Sequence, residues 1–303
     1  MNEYLSRLFT LENIGELLAL PFVQNALVAA ALLGVVAGVL APLIVARGMA
    51  FAVHGTAELA FTGGAAALLL GISVSVGAVA GAVAAGLVFG FLGVRQRERD
   101  SVIGVVLAFG LGLGVLFLAL YEGRASNKFG LLTGSIVSVD STNLVVLGSV
   151  TVGVLVVLAV FYRPLLFAST DPEVAAARGV PTRLLSLLFA VLIALTTAIA
   201  VPIVGAILVL AVSVIPGAAA ARVTSSPLLA TVLAVVFAEV SLLGGTVLSL
   251  APGLPISGYV ATIAFLCYLG CRLVGRFRGG GGGGVCAPPP PGGRGGGPPG
   301  GGV

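Results

Sequence analysis

Long apolar stretches dominate the chain, broken at short intervals by arginine, proline or glycine. A membrane-crossing helix needs about twenty mostly apolar residues. By that measure nine spans are predicted, at residues 22–46, 49–71, 74–93, 101–120, 143–162, 184–201, 203–221, 227–248 and 254–275. Residues 184–221 are apolar throughout. At ~1.5 Å per residue, one helix of that length would overrun a hydrocarbon core of ~30 Å. The stretch is therefore divided into two spans with a tight turn at Pro202. Residues 1–21 are weakly amphipathic, with Glu3, Arg7, Glu12 and Glu16 set between leucines. They lack the basic start and cleavage site of a signal peptide and are expected to lie as a helix at the membrane interface. Residues 276–303 form a tail that is almost wholly Gly and Pro from 279 onward. Such a composition cannot bury a core and is expected to be disordered. The fold class that follows is all-α, a polytopic helical membrane protein with its transmembrane domain at 22–275.

Composition agrees. Hydrophobic residues make up 58% and charged residues 9% of the 303 residues, where a soluble domain carries about 25% charged residues. That rules out a soluble enzyme, a secreted disulfide scaffold and a nucleic-acid binder. The net charge of +4 has a positional explanation instead. With nine spans, one membrane face collects Arg47, Arg95, Arg97, Arg99, Arg163, Arg178, Arg183, Arg222, Arg272, Arg276, Arg278 and Arg294. The other face holds Arg7, Arg124 and Lys128. Basic residues mark the cytoplasmic side, so the N-terminus is expected outside and the C-terminus in the cytoplasm. Lys128 is followed by Phe129, so no P-loop exists, and the single histidine excludes an HExxH zinc site.

Away from the span ends, the histidine and acidic side chains inside predicted spans are His54, Glu58 and Glu239. Charge within hydrocarbon is costly and marks a candidate functional site. His54 and Glu58 are four residues apart, which places them on one helical face, one turn apart. An imidazole and a carboxylate so placed can share a divalent cation, since imidazole suits Zn²⁺ and carboxylate also suits Mn²⁺. The same spacing serves a hydrogen-bonded pair that locks helix packing, or a proton relay, and spacing alone leaves the three open. Glu239 is a weaker metal candidate that could instead meet Ser241 or Thr246 on its own helix. Cys267 and Cys271, also four apart, read as packing residues, as do the pairs Gly77/Gly81 and Gly86/Gly90. The run Arg95 to Asp100 reads as a solvated loop.

The loop after the fifth span reads STDPEVAAARGVPTRLL. Asp171 is a candidate N-cap, Pro172 suits the first helical position, Glu173 suits the first turn, and Gly179 can end the helix after Arg178. A short cytoplasmic helix at 171–179 is expected. It offers a docking surface for a soluble partner, although an ordinary surface helix would look the same.

Four segments, in order, resemble the permease subunit of the zinc/manganese ABC importers, the ABC-3 family. They are RGMAFAVHGTAELAFTGGAAALLLG at 47–71, LLTGSIVSVDSTNL at 131–144, DPEVAAARGV at 171–180 and VGAILVLAVSVIPGAAAARV at 204–223. The resemblance covers about 22–275. It implies that His54 and Glu58 bind zinc or manganese in transit, with no cofactor bound permanently. It implies that Asp171, Pro172, Glu173, Arg178 and Gly179 form the ATPase-coupling segment. The implied partners are a cytoplasmic ABC ATPase, an extracellular metal-binding lipoprotein, a second copy of the permease and membrane lipid, with no nucleic acid. The implied location is the bacterial inner membrane. In the family an acidic residue precedes the histidine by four; here His54 comes first and Glu58 second, so the donor order is swapped. A proton-coupled secondary transporter and an ABC permease for a metal chelate are the rival functions. The first needs no 171–179 helix, and the second needs a wider pore without metal donors.

Overall fold

The computed structural model describes residues 18–91, 96–123, 130, 134, 141–250 and 256–278. The expected interfacial helix before residue 18, most of the 131–144 segment and the tail from 279 onward lie outside the described residues. Among the described residues ten helices follow one another: α1 (Pro21–Ala46), α2 (Ala50–Leu70), α3 (Val74–Phe91), α4 (Gln96–Leu120), α5 (Ser141–Thr170), α6 (Pro172–Ala177), α7 (Thr182–Val204), α8 (Ala206–Val223), α9 (Pro227–Leu250) and α10 (Ile256–Arg278). Eight of them are long and apolar enough to cross a membrane. The third predicted span is present as α3, whose apolar stretch Val74–Gly90 falls just short of that length. A backbone in hydrocarbon must satisfy its own N–H and C=O groups, and continuous helices do so.

Three boundaries differ from the expectation. The break between the sixth and seventh spans is at Gly205, not Pro202. A proline removes one hydrogen bond to the preceding turn but leaves the following residues free to stay helical, and α7 runs through Pro202 to Val204. Gly205 ends it with φ 85° and ψ 151°, a conformation essentially confined to glycine. The fifth span does not stop at 162. It continues through Arg163 and Pro164 to Thr170 as a helix of 30 residues, roughly 45 Å long at ~1.5 Å per residue. Residues Gln96–Asp100, expected in a loop, open α4.

The helices form two groups. In one, α3 and α4 lie against α2, and α7 lies against α3. In the other, α8 and α9 lie against α1, and α10 lies against α8 and α9. The α5 helix touches α1 and α7, and α2 touches α7 and α8, so one apolar core is shared. Lipid tails are as apolar as leucine, so close packing of backbones has to hold such helices together. The glycine pairs show where. A Cβ on Gly77 would strike the carbonyl of Gly63 in α2, and one on Gly81 would strike the carbonyl of Leu59. Gly86 and Gly90 face α7, where a Cβ would stand 2.8 Å from the Ala194 methyl and 2.6 Å from a Leu187 methyl. Gly217 of α8 meets the backbone of Ala41 and Pro42 in α1, and Gly38 of α1 meets the backbone of Val235 in α9.

Gly77→Ala therefore forces α2 and α3 apart and costs about 1–3 kcal/mol, the usual penalty of overpacking. Gly112→Ala, where nothing lies within 4 Å, is neutral or stabilising by about 0.5–1 kcal/mol through helix propensity. Thermal unfolding of the two variants in detergent checks the contrast, and equal midpoints would refute it.

Candidate functional site

Helix α2 grows out of a tight turn. Arg47 caps α1, Gly48 takes φ 61°, and Met49 opens α2. The amides of Gly48 and Met49 donate back to the carbonyls of Val45 (3.1 Å) and Ile44 (2.9 Å), a glycine-dependent helix stop. His54 follows about one turn into α2 and Glu58 about two. His54 is half-buried, and Glu58 is 5% exposed.

The surroundings of the pair show what its side chains meet. Thr56 donates to the Ala52 carbonyl at 2.6 Å. The Thr62 hydroxyl sits 2.7 Å from the Glu58 carbonyl and 2.6 Å from the Gly110 carbonyl of α4. Both neighbouring hydroxyls are thus engaged with backbone, and neither serves the Glu58 carboxylate. Among the described residues, Nδ1 of His54 and Oε2 of Glu58 are buried without a hydrogen-bond partner. A buried polar group left unpaired costs about 1–3 kcal/mol. The arrangement places one imidazole nitrogen and one carboxylate oxygen, each without a hydrogen-bond partner among the described residues, on one helix face. No group of three or more His, Cys, Asp or Glu side chains gathers among the described residues to hold a metal ion.

Glu239 does not join them. Its carboxylate lies against Gly34 of α1, with Oε1 2.6 Å from where a Cβ would stand. Neither local partner expected for it is used: Ser241 donates to Phe237 O and Thr246 to Leu242 O, each at 2.7 Å. Its Oε1 is buried and unpartnered among the described residues. Cys267 and Cys271 of α10 are free thiols, the second buried.

The 171–179 segment has the helix its sequence predicts. The Asp171 carboxylate accepts from the Val174 amide at 3.0 Å, Pro172 occupies the first turn, and Glu173 complements the helix dipole. Arg178 caps the other end and Gly179 takes φ 81°. The amides of Gly179 and Val180 donate to Ala176 O and Ala175 O at 3.0 Å each, the same stop as after α1. Only Ala175 is buried; every other residue from Asp171 to Gly179 is exposed. The segment is a helix capped at both ends with an exposed outer face.

One residue counted in the sequence only for its charge proves to be structural. Arg47 folds against the protein: Nε donates to Ser169 Oγ at 2.7 Å and Nη2 to Leu165 O at 3.1 Å. Its guanidinium also stands 4.8 Å above the Phe189 ring of α7. Burial pushes the group down to about 10, which leaves it charged at neutral pH. The available signal was its place: an arginine at a helix end, directly before a glycine that turns the chain.

Removing the α6 cap has a local outcome. Asp171→Ala costs about 1 kcal/mol of helix stability, so amide exchange at Val174–Ala177 accelerates about fivefold, while Asp171→Asn keeps near-native protection. Hydrogen exchange read by mass spectrometry tests this, and unchanged exchange in Asp171→Ala would refute the cap's role.

Comparison with known proteins follows the same lines. The model of the ABC 3 transport family matches residues 19–275. The manganese transport system membrane protein MntC of Halalkalibacterium halodurans is 32% identical over 231 residues, covering 76% of this chain and 79% of that protein. The manganese import system permease protein ScaB of Streptococcus parasanguinis is 31% identical over 200 residues, covering 66% of this chain and 71% of that protein. Among solved structures, PsaBC from Streptococcus pneumoniae in complex with Fab superposes with a TM-score of 0.77 at 26% identity, covering 86% of this chain and 94% of that one. With nearly the whole helical domain matched in sequence and in fold, the chain belongs to the ABC 3 transport family.

Proposed function

We propose that the chain is the membrane permease of an ATP-driven importer of a divalent transition metal, manganese or zinc. The observation that carries the reading is the pair of buried, unpartnered donor atoms on α2, Nδ1 of His54 and Oε2 of Glu58. A bound divalent cation satisfies both and offsets the burial of the carboxylate. Two donors make a weak site, since a closed zinc site has four. Two copies of α2 in a homodimer would supply two nitrogens and two carboxylates, and a transport site must in any case release its ion. The swapped order of His54 and Glu58 changes which donor comes first along the path, not the donor set. Kinship with the manganese permeases supports the metal class.

ATP is hydrolysed in a separate cytoplasmic chain, and α6 is the docking element for it. Its exposed outer face and capped ends suit that role, and a proton-driven transporter leaves them without a use. An extracellular metal-binding lipoprotein delivers the ion.

Reconstitution of the permease with its ATPase and binding protein tests the reading. His54→Ala and Glu58→Gln each reduce manganese(II) uptake to background while the protein remains folded in the membrane; Glu58→Gln keeps size and hydrogen bonding and removes only charge. Native uptake in both variants would make the pair structural. Uptake that persists without ATP and collapses with the proton gradient would install the secondary-transporter mechanism instead.

The proposed orientation places the N-terminus outside and α6 in the cytoplasm, following the arginine distribution. In a variant with Cys267, Cys271 and Cys286 replaced by alanine, a membrane-impermeant thiol reagent should label Ser126→Cys from outside and Arg97→Cys only after the inner face is opened. Labelling of both from one side would refute the orientation.

A further inference from the structure

Two turns at the same end of the molecule are joined by Arg47. One turn, Arg47–Gly48–Met49, launches α2 and is fixed by the hydrogen bonds to Val45 and Ile44. The other is the junction of α5 with α6. Ser169 stands two residues before Asp171, the cap of α6. Leu165 lies one turn earlier on the same face of α5 and is fully buried. The Ser169 hydroxyl donates to the Leu165 carbonyl while it accepts from Arg47. The guanidinium fork thus holds the end of α5 at two points and rests on Phe189, itself fully buried in α7.

We infer that Arg47 is the positioning residue that transmits movement of α6 to the metal-carrying helix α2. This rests on the reading of α6 as the ATPase-docking element. Any displacement of α6 is carried by the α5 end to which it is joined, and Arg47 is hydrogen-bonded to that end. The turn, closed by two backbone hydrogen bonds around Gly48, joins Arg47 to Met49, the N-cap of α2. The displacement is passed to the start of α2, one turn below His54. Coupling of this kind needs a contiguous element that both sites bias. The path from α6 through Ser169, Arg47 and Met49 into α2 is contiguous at every step.

An arginine present only to orient the chain in the membrane would need its charge and nothing more. Arg47→Lys separates the roles. It keeps the charge, but an ammonium cannot reproduce the planar fork and its stacking on an aromatic face. Ser169→Ala removes the acceptor of Nε without touching Arg47, and Ser169→Thr restores a hydroxyl. The experiment reconstitutes the permease with its ATPase and binding protein in proteoliposomes. It measures ATP hydrolysed per manganese(II) ion imported, together with the thermal midpoint of each purified complex. Arg47→Lys and Ser169→Ala are expected to raise that ratio about fivefold or more, the lower end of ordinary coupling free energies. Ser169→Thr is expected to keep the native ratio.

A native ratio in both Arg47→Lys and Ser169→Ala overturns the inference. So does a raised ratio matched by Ser169→Thr with a lowered thermal midpoint, because the defect is then one of folding. If Arg47→Lys does not assemble, Ser169→Ala decides alone by the same ratio. Glu173→Ala with Arg178→Ala, read in the same assay, separates the two levels. If that double variant keeps native uptake and native ATPase stimulation, the docking role of α6 fails. If it uncouples while Arg47→Lys and Ser169→Ala do not, only the Arg47 inference fails.

Discussion

Contact between helix backbones is the interaction on which this fold depends. Apolar side chains gain nothing by leaving lipid for one another, so helices that are only apolar have no reason to associate. Here they meet where the side chain has been deleted. Gly63 faces Gly77, Gly81 faces Leu59, Gly217 faces the Ala41–Pro42 peptide, and Gly38 faces Val235. Each crossing brings the dispersion attraction of two whole backbones into range, and each tolerates no added methyl. The same closeness fixes the pose of α2 against α3 and α4, and so the direction in which His54 and Glu58 project.

The helix count was legible in the sequence because hydropathy reports burial in lipid directly. Which helices touch was not, since glycine has no period that names its partner. Gly77/Gly81 and Gly86/Gly90 lie on the same helix and look alike, yet the first pair meets α2 and the second meets α7. The α7–α8 break was misplaced for a physical reason. A proline is visible as a missing donor, but what ends a helix is a backbone angle, and only Gly205 supplies it. Likewise α5 outruns its apolar stretch because helix propensity and packing do not stop at Arg163.

The candidate site divides in the same way. Spacing alone placed His54 and Glu58 on one face, and a cap, a proline and a glycine spelled out α6 almost residue by residue. Sequence could not say that Thr56 and Thr62 turn to backbone carbonyls, or that Nδ1 of His54 and Oε2 of Glu58 find no hydrogen-bond partner among the described residues. Nor could it distinguish Arg47 from the other arginines of its face, since the Ser169 and Leu165 acceptors lie 122 and 118 residues away along the chain.

The acceptors of Arg47 are a hydroxyl, a peptide carbonyl and the face of a phenyl ring. None of them titrates in the range a cell experiences, and no carboxylate stands among them. The usual partner of a guanidinium, an acid, would release it as the interior acidified. This one is held by groups that keep their character through such swings, so the grip of Arg47 on the end of α5 does not depend on the ionisation of an acid.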